Sequence, residues 1–183
     1  MSTAREMNAG NAGTITMDGD LTVNRMGYGA MRITGPGIWG EPPDRDEAIR
    51  VLRRAVEVGI TFIDTADSYG PDVSENLIAE ALYPYPRDFI IATKGGLERT
   101  GPGDWPRNAT PEHLKVACEA SLRRLKRDCI DLYQLHWPDP NVPYEESVGA
   151  LVDLQRAGKI RHIGVSNVDG DLLRRARTLV LQR

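Results

Sequence analysis

Apolar positions in this chain follow two alternating rhythms. Short β-branched or apolar runs at 61–64, 89–93, 130–135 and 160–165 are separated by longer stretches in which apolar residues return every three or four positions. The longer stretches predict helices over 45–58, from near Ser74, after Thr110-Pro111, over 144–157 and over 171–181. With a first strand at 25–30, this makes five strand–helix units in unbroken alternation, the pattern of parallel βα units and not of a bundle or sandwich.

Local signals sharpen several of these elements. Asp44 and Glu47 have capping-box spacing ahead of Ala48, Leu52, Ala55 and Val56, and Gly59 stands where a left-handed C-terminal cap belongs. The second helix presents Leu77, Ile78, Ala81 and Leu82 inward. Thr110 is placed to cap a helix with proline at its first position, followed by Leu114, Cys118, Ser121 and Leu125 on one face. The last helix presents Leu172, Leu173, Ala176, Leu179 and Val180. Ahead of the units, TITMDGDLTVN (residues 14–24) reads as a hairpin turning at Asp18-Gly19. The strands IRHIGV and DFIIAT read as buried on both faces, which a closed barrel and a doubly wound sheet both achieve. Gly27 and Gly29 lack the third glycine of a dinucleotide fingerprint and open a loop, which weighs against a Rossmann-type sheet.

Composition narrows the class. With 183 residues, 40 % hydrophobic and 27 % charged, the chain suits one domain: a loose tail over 1–13 and a barrel domain over 14–183. A net charge of −3 offers no basic surface for nucleic acid. No run approaches the roughly 18 apolar residues of a membrane span, and no targeting segment is visible, so the expectation is a cytoplasmic protein acting on small molecules. Cys118 and Cys129 have no metal-ligand spacing and read as reduced core residues.

Candidate chemistry lies at the strand ends, where parallel barrels build their sites. Asp64 ends a strand in FIDTADSYG, with Tyr69 five residues on; Lys94 ends the next in IATKGG; His136 ends the next in LYQLHWPDP. Each has a plain structural alternative: an Asp64–Lys94 ion pair, a packed loop tyrosine, a hydrogen-bonded rim histidine. Four on three successive strand ends argue for chemistry. Reduction of a carbonyl builds negative charge on oxygen, which Tyr69 as general acid would neutralise. Lys94 is expected to pull the phenol's pKa down, Asp64 to hold Lys94, and His136 to orient the carbonyl oxygen. Metal chemistry is poorly supported, because His113 and His162 supply no second rim ligand.

FIDTADSYG, IATKGG, LYQLHWPDP and IRHIGVSN, in this order, resemble the aldo-keto reductase superfamily over nearly the whole chain. GPGIWG and DSYGPDVSE look like its bacterial branch related to pyridoxal reductases. The resemblance implies a parallel (β/α)8 TIM-type barrel and reduction of aldehydes or ketones with NADPH, or alternatively NADH. It implies a catalytic set of Asp64, Tyr69, Lys94 and His136. It also implies cofactor contacts from Gly29, Ala30, Met31, Asp64, Ser166 and Asn167; Ser166-Asn167 has a helix N-cap as its structural alternative, and both roles are compatible. Trp39 and Trp137 are candidate walls for an aromatic substrate or, equally, rim packing residues. The sequence stops where the sixth strand is due. The expectation is therefore an incomplete barrel of about five units, truncated at its C-terminus, with poor cofactor affinity and open edges prone to self-association. The alternative from another class is a non-catalytic barrel-derived protein that binds a nucleotide or partner and keeps the four residues by descent.

Overall fold

The computed structural model describes residues 8–182. The hairpin is present: β1 (Thr14–Met17) and β2 (Leu21–Asn24) pair antiparallel from Thr14↔Asn24 to Met17↔Leu21. Asp18 and Gly19 both take positive φ, as the expected turn requires. Leu21 and Val23 bury their side chains against Ile90, with Phe62 and Met17 packed around them. These contacts lie near the N-terminal ends of the strands that follow, so the hairpin closes the end of the sheet opposite the candidate residues.

The main sheet holds β3 (Tyr28–Gly29), β4 (Phe62–Asp64), β5 (Ile90–Gly95), β6 (Ile130–Leu135) and β7 (Ile160–Val165), all parallel and in sequential order. The helices are α1 (Arg45–Glu57), α2 (Val73–Leu82), α3 (Pro111–Leu125), α4 (Tyr144–Arg156) and α5 (Gly170–Gln182), and each packs on the next in one continuous layer. Strand order without reversal, under one helical layer, is barrel geometry; a doubly wound sheet reverses its order and splits its helices between two faces. Asp44 caps α1 by accepting from the Glu47 amide at 2.8 Å, and Thr110 caps α3 by accepting from the His113 amide at 3.3 Å.

Several expectations are corrected. The first strand is two residues long, not six: Arg25, Met26 and Gly27 are exposed, and Ala30–Ile33 turns away as 3-10 helix. The expected loose tail lies outside the described residues up to position 7. Its remainder is tied down, with Ala9–Ala12 forming a 3-10 turn in which Ala9 is buried and donates to Val58 O at 2.6 Å. Strand β5 is buried throughout, but in β7 only Ile160 is, because β7 has a neighbour on one side alone among the described residues. For the same reason α5 buries only Ala176 of the five residues expected, and Leu173 is exposed. Cys118 is buried; Cys129 precedes β6 and is half-exposed.

One feature of the core has no counterpart in the apolar pattern. Glu75, on α2, is fully buried; it accepts from Thr93 Oγ1 at 2.6 Å and from Arg124 Nε at 2.6 Å, while Arg124 also reaches Asp72 at 3.2 Å. A buried carboxylate is tolerable only with such partners. The cluster ties the start of α2 to β5 and α3, and thereby fixes the loop that carries Tyr69.

Candidate active site

Strand register brings three of the four expected residues to one rim. Asp64 closes β4, Lys94 is next to last in β5, and His136 follows β6 directly. Lys94 pairs in register with Gln134, and the Gln134 amide donates to Asp64 Oδ1 at 3.1 Å. Lys94 Nζ donates to Asp64 Oδ2 at 2.7 Å and to Thr65 O at 2.8 Å, and lies 3.5 Å from Tyr69 OH. The ammonium, 6 % exposed, thus sits between carboxylate and phenol.

Tyr69 reaches this group through a tight turn. Its amide donates to Ala66 O, and its carbonyl accepts from the Ser74 amide at the start of α2. Gly70 follows at φ 113°, where a Cβ would collide with the Val73 side chain, so only glycine fits. The Ser74 hydroxyl pairs with Thr65 Oγ1 at 2.7 Å and with Ala30 O at 3.1 Å, locking the loop to its neighbours. The rings of Tyr69 and His136 meet edge to face, centroids 5.7 Å apart.

The electrostatics correct one expectation. Burial pushes the Tyr69 phenol up, to about 12, and the carboxylates of Asp64 and Asp67 push the same way, so proximity to Lys94 does not leave it acidic. Burial, reinforced by Lys94, drives His136 down to about 3, so its ring is neutral. Ser68 Oγ lies 3.2 Å from His136 Nδ1. A serine that donates to Nδ1 leaves the ring proton on Nε2.

In front of these groups opens a cleft of about 420 Å³, lined by Met31, Tyr69, Leu97, Trp105, Arg107, His136 and Trp137. Its size is that of an ordinary small-molecule site. Trp137 lines it as expected, but Trp39 does not: its backbone bridges to Gly70, and its ring carries the Arg99 guanidinium at 5.4 Å. Leu97, Trp105 and Arg107 were not foreseen. They lie on the loop after β5, folded back on itself by a Leu97–Arg107 bridge, which strand and helix periodicity does not register. Arg99 fixes this loop, stacking 3.5 Å from the Trp105 ring and donating to Ile38 O and Ser68 O. The one available signal was Trp-Pro-Arg between a strand and a helix cap.

Of the expected cofactor contacts, Met31 faces the cleft and Gly29 is exposed, whereas Ala30 is fully buried with its carbonyl taken by Ser74. Ser166 and Asn167 stand at the end of β7, beside the site. Asn167 Nδ2 donates to His136 O at 2.9 Å and to Ser166 Oγ at 3.2 Å, while Oδ1 receives no donor among the described residues. The N-cap alternative for this pair is set aside, since Asp169 caps α5 by accepting from the amides of Asp171 and Leu172.

The aldo/keto reductase family model matches residues 25–182. This chain belongs to that family. It is 51 % identical over 170 residues to an uncharacterised oxidoreductase of Schizosaccharomyces pombe, covering 93 % of this chain and 55 % of that protein. To the pyridoxine 4-dehydrogenase of Escherichia coli it is 41 % identical, covering 92 % of this chain and 61 % of that enzyme, in line with the bacterial branch read from the sequence. Among solved structures, a glycerol dehydrogenase of Gluconobacter oxydans superposes with a TM-score of 0.83 at 37 % identity, over 92 % of this chain and 52 % of that one. An aldo-keto reductase of Klebsiella pneumoniae, in complex with NADP and acetate, superposes with a TM-score of 0.71 at 30 % identity, over 88 % and 52 %. The chain thus spans about half to three-fifths of the length of these aldo/keto reductases. Among the described residues, no helix is long and apolar enough to cross a membrane.

Proposed function

We propose that this chain carries the catalytic rim of an NAD(P)H-dependent reductase that converts aldehydes or ketones to alcohols, with Tyr69 as the acid. The observation that carries the reading is the Lys94 ammonium held between Asp64 and the Tyr69 hydroxyl, beside a cleft lined by Tyr69 and His136. NADPH, as implied by the complex of the Klebsiella relative, supplies a hydride when bound. The residues present fit part of that group: the Oδ1 of Asn167, which receives no donor among the described residues, and the Ser166 hydroxyl suit a carboxamide, Met31 lines the cleft, and Gly29 is exposed. Asp64 is engaged with Lys94 and Gln134, so its part in cofactor binding is to keep Lys94 in place.

The chemistry follows from the charges. A neutral His136 with its proton on Nε2 donates a hydrogen bond to the carbonyl oxygen and polarises it. As negative charge gathers on that oxygen, Tyr69 releases its proton to it. A phenol held near 12 keeps its proton at neutral pH and still surrenders it to an alkoxide, a far stronger base. The phenolate then forms beside Lys94, where a charge pair at about 4 Å and an effective dielectric near 20 gains at most about 4 kcal/mol. Stabilising the phenolate is the same as lowering the phenol's pKa, so Lys94 works against the rise that burial and the two carboxylates impose.

Replacement of Tyr69 by Phe tests this. Carbonyl-dependent NADPH oxidation should fall about 10²- to 10⁴-fold, the usual contribution of a positioned acid, with aldehyde binding retained. Unchanged turnover would remove Tyr69 from the reaction. Absence of turnover in the parent chain, with nucleotide or a partner still bound, would favour a binding protein of barrel descent. We further infer that the free side of β7 associates with a second copy of the chain, because an unpaired strand flanked by apolar surface is a template for pairing.

A further inference from the structure

The cleft carries a charge that the reduction step does not use. Arg107 lines it together with Tyr69 and His136; Lys94, beside Tyr69, is already paired with Asp64, and His136 is neutral. Among the described residues, none of those lining the cleft is acidic. Three acidic side chains on the flanking loops are engaged elsewhere: Glu98 accepts from Asn108 Nδ2 at 2.7 Å, Asp104 accepts from Thr100 Oγ1, and Asp139 turns back on Asn141. Arg107 itself makes one long bond, to Pro138 O at 3.3 Å, and stacks 4.6 Å from the Trp137 ring. Most of its five donors therefore remain available.

The guanidinium also stands on a rigid base. Leu97 and Arg107 are bridged, Glu98 N donates to Pro106 O at 2.8 Å and Asn108 N to Gly96 O at 3.1 Å, so the residue is pinned to the end of β5 rather than carried on a loop tip. Trp105 is held in the cleft by Arg99 stacked at 3.5 Å, and Trp137 by Arg107 itself. Two fixed indoles with a free planar cation beside them match a flat ligand that ends in an anion.

We propose that the substrate is an aromatic aldehyde or ketone bearing an anionic substituent, carboxylate or phosphate, which Arg107 binds at the cleft mouth while the carbonyl points to Tyr69 and His136. The inference rests on the carbonyl-reduction reading for the direction of the carbonyl, but its test is a binding measurement that needs no turnover. Titration calorimetry of the whole chain with 4-carboxybenzaldehyde, 4-formylphenyl phosphate and benzaldehyde compares the three directly.

At low salt the two anionic aldehydes should bind at least tenfold more tightly than benzaldehyde, and the margin should shrink as salt is raised. Arg107→Met should abolish the margin, Arg107→Glu should invert it, and Arg107→Lys should keep part of it, since lysine retains the charge without the planar fork. The stronger of the two anionic ligands identifies carboxylate or phosphate as the natural group. Equal affinity for charged and neutral aldehydes, or a margin that survives Arg107→Met, overturns the proposal. Tyr69→Phe should leave the margin intact. A margin that depends on Arg107 in a chain without turnover would sink the reductase reading and leave this one standing; turnover without a margin would do the reverse.

Discussion

His136 is a neutral ring in a place that does not tolerate its charge. It is 7 % exposed, and a lysine ammonium shares its surroundings. Its folded pKa of about 3 lies below the ordinary 6.5, so between these values the unfolded chain binds a proton that the folded chain does not. The stability this contributes is complete above about 6.5 and is lost as pH falls toward 3; between pH 7 and pH 5 the loss amounts to about 2 kcal/mol. His113, also lowered by burial, pulls the same way, so urea melts at both pH values should be compared with His136→Gln, which removes only the first contribution. Equal pH dependence in the two proteins would show that the ring is not held neutral. At this scale the sequence conveyed which residues meet, because strand ends and spacing place them, but not their charge states. The upward shift of Tyr69 depends on burial under loops whose path no local pattern encodes, and Arg107 joined the cleft by a backbone fold-back outside strand and helix periodicity.

The hairpin was legible as an element, since Asp-Gly between alternating β-formers specifies its own turn. What it attaches to was not. Two kinds of contact hold it: Leu21 and Val23 inserted against Ile90, and a polar clasp in which Asp20 pairs with Arg161 at 2.6 Å and lies 2.9 Å from His162 while Asp18 lies 3.0 Å from His162. Their expected weights differ. Exposed ion pairs contribute about 0–1 kcal/mol each, whereas truncating a leucine that is 1 % exposed costs about 2–5 kcal/mol. Asp20→Ala should therefore lower stability much less than Leu21→Ala does. Chemical denaturation of the two variants checks the order, and a larger loss for Asp20→Ala would mean that charge, not burial, fastens the hairpin.

Across the described residues, five parallel strands in sequential order leave the outer side of the six-residue strand β7 without a neighbour. Barrel architecture was legible from the alternation of units and the strand-end residues, and the number of parallel strands from the count of units. The exposure that follows appears only in three dimensions: α5 has the spacing of a buried helix, yet Leu173 and Leu181 face solvent, the latter 76 % exposed. Together with Ile163, Val165, Ala176 and Val180 they line an apolar groove of about 600 Å³ along β7. An apolar trough beside free backbone donors and acceptors should draw two copies together, so sedimentation velocity should show association that grows with concentration. The double substitution Leu173→Lys, Leu181→Lys puts two charges on the groove wall at positions that are already exposed, and so should weaken association at least tenfold without lowering the melting temperature. Association undiminished in that variant would place the contact elsewhere. A monomeric parent chain at all concentrations would show that the free side of β7 is protected without a partner.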